Sequence, residues 1–204
     1  TGSCRRSNRF RAAVSRALDA GMTVKKVLSL VREIRKKSEI PIVLFTYLNP
    51  ILKYGLKKFA SDVRSSGADG VLVLDLPPEE SAGYKEIMDA AGLKTIYLVA
   101  PTSTDDRIRK IARYSTGFIY CVSRTGVTGL ARSSFEELER LVKRIRKYST
   151  LPLAVGFGVS DRSQVQEIGR IADAVVVGSA IVKVIGAQRC NPVPAVKKII
   201  QGLI

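Results

Sequence analysis

Short, β-branched apolar runs alternate along this 204-residue chain with segments whose apolar residues recur every three or four positions. The runs are Pro41–Tyr47, Gly70–Asp75, Thr95–Pro101, Gly117–Ser123, Pro152–Gly158 and Ala174–Ala180. They are apolar without alternation, as strands buried on both faces of a parallel sheet are. The helical patterns between and after them cover Val24–Lys37, Leu56–Ser65, Glu79–Ala91, Asp105–Tyr114, Ser134–Tyr148, Asp161–Ile171 and Pro194–Leu203. Pro78 suits a first helical turn, and Ser133 with Glu136 has the spacing of a capping box. A βα unit repeated six times after one or two leading helices predicts a parallel sheet with right-handed crossovers. Strand spacing alone leaves open whether that sheet is open or closed. A complete (β/α)8 barrel needs two strands more than these six runs supply.

The last three runs end on glycine: Gly126 and Gly129 in SRTGVTG, Gly156 and Gly158 in GFG, and Gly178 in VVVGSA. Ordered glycine is entropically costly, so a strand tip carrying it turns sharply or admits something close to the backbone. In α/β folds ligands gather at the carboxyl ends of strands, and barrels often seat a phosphate after their last two strands. The segment GSAIVKVI has the form of a short helix opening at Ser179. Amides bared at such tips, with a helix dipole behind them, attract a dianion without any lysine or arginine. The glycines are therefore expected to let N–H groups reach phosphate oxygens.

Composition narrows the chemistry. The chain has no histidine, which removes the commonest general base, the histidine-activated nucleophiles and the usual zinc sites; no metal is expected. Three scattered cysteines, Cys4, Cys121 and Cys190, suit a reducing compartment better than a disulfide scaffold. No apolar run is long enough to span a membrane, and the first ten residues lack the apolar core of a signal peptide, so a cytoplasmic protein is expected. The net charge of +16 admits an anionic small molecule, an acidic protein or nucleic acid as partner. Part of it is local, because Arg5, Arg6, Arg9, Arg11 and Arg16 precede the first acid, Asp19. Elsewhere the basic residues share helices with glutamates and have no interleaved aromatics, which favours solvated helix faces over nucleic-acid binding.

The stretches PIVLFTYLNPILKYG, GVLVLDLPPEES, YCVSRTGVTG, LPLAVGFGVS and VVVGSAIVK, in this order, closely resemble the tryptophan synthase alpha chain family, from about Ala12 onward. The resemblance implies a (β/α)8 (TIM) barrel lyase that splits indole-3-glycerol phosphate into indole and glyceraldehyde 3-phosphate without a cofactor. It also implies a beta chain as partner in an α2β2 complex, and neither nucleic acid nor membrane. Carried over, it seats the phosphate on Gly129, Gly158, Gly178 and Ser179 and makes Tyr120 the active-site tyrosine. Phe45, Leu72 and Leu98 would line the indole slot, although plain core packing also suits them. Arg124, Thr128 and Asp75 would serve loop closure, with a turn-capping role as the alternative for Asp75, and Asn49, Pro50 and Pro77 would face the beta chain.

Protonating the indole ring at its bridging carbon makes an iminium-like electron sink, so the carbon–carbon bond can break with one proton-transferring acid and one carboxylate on the indole N–H. In the family the glutamate for these tasks ends the second strand and the aspartate lies on the loop after it; this chain is expected to begin beyond both, with RRSNRFR where the family has an Asp-Gly-Pro segment leading into a helix. We therefore expect a single incomplete barrel domain of about six βα units over residues 1–204, with residues 1–12 atypical, as a truncated or frame-shifted 5′ end or a wrongly chosen start would leave them. Two open strand edges would favour association. The chain alone is expected to be poorly soluble or oligomeric and nearly inert, and a non-catalytic regulatory subunit that binds phosphate and beta chain is the alternative.

Overall fold

The computed structural model describes residues 12–122, 132–156, 158, 159, 161–188 and 191–204. In chain order the elements are α1 (12–19), α2 (Val24–Arg35), β1 (Val43–Thr46), α3 (Leu48–Tyr54), α4 (Leu56–Ser66), β2 (Gly70–Val73), a 3-10 turn (Pro78–Glu80), α5 (Ala82–Ala90), β3 (Lys94–Val99), α6 (Asp105–Tyr114), β4 (Ile119–Val122), α7 (Arg132–Arg146), β5 (Leu153–Gly156), α8 (Arg162–Gly169), β6 (Ala174–Val176), α9 (Ser179–Ala187) and α10 (Val193–Leu203). Two compact units emerge. One holds Gly21–Val99 and Thr104–Ile119; the other holds Thr1–Ala20, Ala100–Ser103 and Tyr120–Ile204.

In the first unit β1, β2 and β3 pair in parallel, with Phe45 opposite Leu72 and Leu72 opposite Ile96. All four residues of β2 are buried, which explains its unbroken Gly-Val-Leu-Val. Val71 and Val73 point into a core shared with Leu28 and Val31 of α2, Phe59, Ala60 and Val63 of α4, and Tyr84 and Met88 of α5. Phe45, Leu72, Ile96 and Leu98 alternate to the opposite face. Local chemistry sets the helix ends. Thr23 Oγ1 accepts the Lys26 N–H at 3.3 Å to start α2, and Gly67, at φ 88°, closes α4. Thr104 caps α6, whose first turn carries Asp105 and Asp106 and whose last carries Arg113, as the helix dipole favours.

The segment expected as one helix over Glu79–Ala91 is divided. Pro78–Glu80 forms a 3-10 turn, and Ser81 turns its hydroxyl back to donate to the Pro78 carbonyl at 3.1 Å before α5 begins. A helix that the apolar pattern did not predict, α3, occupies Leu48–Tyr54. Ser133, expected before the helix as its cap, lies within α7. Lys94 opens β3, one residue ahead of the apolar run Thr95–Pro101. Lys94 sits at the amino end, away from the strand tips where ligands gather.

In the second unit β5 and β6 pair in parallel, Val155 opposite Val175. Leu153, Ala154 and Val155 are buried together with Leu138, Leu141, Val142 and Ile145 of α7. Asp161 caps α8, accepting from the Gln164 N–H at 3.0 Å and the Ser163 hydroxyl at 2.6 Å. The hydroxyl bond and the amide bond together hold its carboxyl below the usual carboxylate range. Among the described residues no helix is long and apolar enough to cross a membrane.

Candidate functional site

At the carboxyl ends of β1 to β3 the chain gathers its expected apolar and partner-facing residues. Phe45 is 61% exposed, Leu72 is 3% exposed on the neighbouring strand, and Leu98 is half-buried on the same face. Asp75 follows β2 and reaches back to the helix that follows β1: its Oδ1 accepts the Leu48 N–H at 2.7 Å. Leu48 is the first residue of α3, and the preceding Tyr47 supplies no side-chain cap. The carboxylate thus does what an N-cap side chain does, from a distant point in the sequence, and it suits the positive end of that helix. This is the capping alternative for Asp75. It also ties the β2 tip to the turn that bears Asn49, which is exposed, and Pro50, which is half-buried. Pro77, half-buried, lies two residues beyond Asp75. A cavity of about 360 Å³ opens beside these residues, walled by Leu74, Leu76, Leu98 and Tyr97, with Asp75 and Arg107 as its charged members.

The second unit carries the glycine tips and Tyr120. Tyr120 is half-buried on β4, and burial pushes its phenol above the ordinary value. A methyl group on Gly156 would stand 2.0 Å from Tyr120 Oη and 2.5 Å from its Cζ. Gly156 is therefore glycine because the tyrosine ring crosses that point of β5. That differs from the expectation that all the tip glycines serve an anion. Gly158 is exposed and has φ 60°, the left-handed region in which only glycine is at ease. Gly178 is the residue before α9 and Ser179 is its first residue; no side chain caps this helix start. The first amides of α9 have no acceptor within the helix, so they can serve an anion. Gly129, Arg124 and Thr128 lie outside the described residues.

Three features escaped sequence reasoning. Tyr47, 54% exposed at the junction of β1 and α3, carries a polar tip at the ligand end, and its exposed position was the available signal. The partners of Asp75 and of Gly156 are remote in sequence and left no local trace. Among the described residues no group of three or more His, Cys, Asp or Glu side chains gathers as a metal site.

A profile of the family described as tryptophan synthase alpha chain matches residues 9–201. The tryptophan synthase alpha chain of Geotalea daltonii is 51% identical over 168 residues, which are 82% of this chain and 64% of that one. That of Geobacillus kaustophilus is 48% identical over 172 residues, 84% of this chain and 64% of that one. Among solved structures, a mutant tryptophan synthase alpha-subunit from Pyrococcus furiosus superposes with a TM-score of 0.88 at 37% identity, over 96% of this chain and 79% of that one. A chain of the tryptophan synthase complex from the same organism gives 0.86 at 35% identity, covering 96% and 78%. The chain spans just under two thirds of the length of the curated relatives that match it, 64% and 63% for two of them. Its six βα units have the (β/α)8-barrel fold of these structures. With the family profile covering nearly its whole length and half of its aligned residues identical to those of named members, the chain belongs to the tryptophan synthase alpha chain family.

Proposed function

We propose that this chain is the substrate-binding part of a cytoplasmic, cofactor-free lyase that cleaves indole-3-glycerol phosphate to indole and glyceraldehyde 3-phosphate beside a beta chain. The observation that carries the reading is the uncapped start of α9 at Gly178 and Ser179 in a member of this family. Gly158, with its left-handed backbone, and Gly129 complete the phosphate seat. Phe45, Leu72 and Leu98 wall the indole slot, Tyr120 stands over the reacting carbons, and Arg124, Thr128 and Asp75 govern closure. Asn49, Pro50 and Pro77 meet the beta chain. Protonation of the indole ring at its bridging carbon draws electrons out of the side-chain bond; the bond breaks, the glyceryl hydroxyl loses its proton as the aldehyde forms, and the ring proton is kept. The glutamate and aspartate that handle these protons in the family have no counterpart among the residues matched here.

Thermal unfolding with glycerol phosphate tests the seat. A ligand that binds only the native state at a hundred times its Kd adds about 2.7 kcal/mol. For a chain of this size that raises Tm by about 5–10 °C. Ser179→Asp should keep the unliganded Tm, because a carboxylate suits a helix start, and should erase the shift by occupying the anion's place. An unchanged shift in Ser179→Asp, or no shift in the parent, would remove the phosphate site from α9.

A further inference from the structure

Within the second unit the carboxyl half of α9, the start of α8 and one side of α10 enclose a cavity of about 570 Å³. It lies at the far end of α9 from Gly178 and Ser179, and it shares no residue with the proposed phosphate seat. Its volume falls in the range of sites that take small organic ligands. Its long wall comes from α10: Ala195, Ile199 and Leu203 recur every four residues and so stand in one row, about 12 Å from end to end at the helical rise. Leu203 is buried and the other two are half-buried. Val184 and Ala187 of α9 add to the apolar lining.

The charged lining residues are Arg162 of α8, Lys198 of α10 and Asp161. Asp161 is already committed, because its carboxylate accepts the Gln164 N–H and the Ser163 hydroxyl at the start of α8. Arg162 and Lys198 are exposed, and among the described residues neither pairs with an acid. Two cations against one carboxylate leave the cavity a single net positive charge. Gly202, also in the lining, has no local reason to be glycine. Its φ is not left-handed, it sits inside α10 where glycine is a poor helix former, and a carbon added to it would meet no atom within 4 Å. Its effect is to keep the wall open. We propose that this cavity binds a monocarboxylic acid with an unbranched apolar body, its carboxylate held by Arg162 and Lys198 and its body laid along Ala195, Ile199 and Leu203. The guanidinium fork matches a carboxylate at two points, and the lysine adds a point charge. A phosphate dianion would face Asp161 with too little positive charge to offset it, and a neutral chain would use neither cation.

Octanoate and octanol, titrated into the full chain with its valine, isoleucine and leucine methyl groups isotope-labelled, test this. Octanoate should shift the Val184, Ile199 and Leu203 resonances, and octanol should bind about tenfold more weakly, the worth of one charge-assisted hydrogen bond. Arg162→Glu and Lys198→Glu should each weaken octanoate by about the same factor and leave octanol unchanged. Arg162→Glu places an acid in the first turn of α8, where the helix dipole favours it, so that variant keeps its fold. Gly202→Leu, which fills the open space and favours the helix, should abolish octanoate binding at an unchanged or higher Tm. Should a variant not fold, added salt must still weaken octanoate and spare octanol in the parent. No octanoate binding, equal binding of the two probes, or charge variants that match the parent would overturn the proposal. So would resonance shifts at Leu72 and Leu98 in place of Val184 and Ile199, or displacement of octanoate by glycerol phosphate.

Discussion

Gly156→Ala is expected to destabilise the chain by about 1–3 kcal/mol, the usual cost of overpacking a filled site, and to displace the tyrosine from the proposed site. The added methyl would lie 2.0 Å from Tyr120 Oη, 2.5 Å from Cζ and 3.0 Å from Cε1, so the whole edge of the ring is in the way. A phenol has only two side-chain torsions with which to escape, and half-burial leaves little room for either. Because the obstruction is a side chain, it can be removed. Tyr120→Phe takes away Oη alone and leaves the two ring carbons too close, so Gly156→Ala with Tyr120→Phe should recover only part of the loss. Gly156→Ala with Tyr120→Ala should recover more, measured against Tyr120→Ala alone, since the methyl then enters the space the ring left. Urea midpoints of the four variants form a double-mutant cycle. Additive effects of the two substitutions would show that the ring and the glycine do not meet.

Gly70→Ala is expected to cost about 3 kcal/mol, at the upper end of the overpacking range, and to resist rescue. Here the added carbon would lie 2.7 Å from the Lys94 carbonyl oxygen, and 3.1 Å from Ile96 Cδ1 and from Lys94 Cβ. Ile96→Val removes the isoleucine contact, but the carbonyl belongs to the neighbouring strand. Gly70 and Lys94 are register partners, and the Lys94 N–H donates to the Asp69 carbonyl at 2.9 Å beside them. Moving that oxygen means moving β3 against β2 in a strand with no exposed residue. The same urea series, with Gly70→Ala, Ile96→Val and the pair, should return a double variant no more stable than Gly70→Ala. A double variant restored to the parent's midpoint would place the clash in the side chain instead.

These two glycines mark what the linear sequence conveys and what it does not. The strand runs were placed to within a few residues at each end, and α6 without error, because apolar runs, Thr104 as a cap and acids in a first turn are all local signals. The start of α9 at Ser179, just after Gly178, is legible for the same reason, since a glycine tip followed by a helix start is a contiguous pattern. What failed was remote. Helix α3 falls outside the helical patterns; its proline sits in the first turn, where the missing N–H costs nothing, and the helix start is satisfied by Asp75. The purpose of Gly156 depends on a ring that arrives from another strand.

Cys121 lies in the middle of β4, fully enclosed, and burial pushes its thiol up to about 12. Alkylating reagents attack the thiolate, so in the folded chain near neutral pH this sulfur is closed to them by both access and ionisation. Its modification therefore waits for the strand to come away from its neighbours. The rate at which that one peptide gains mass becomes a clock for the opening of the sheet beside Tyr120, set in the chain with no introduced probe.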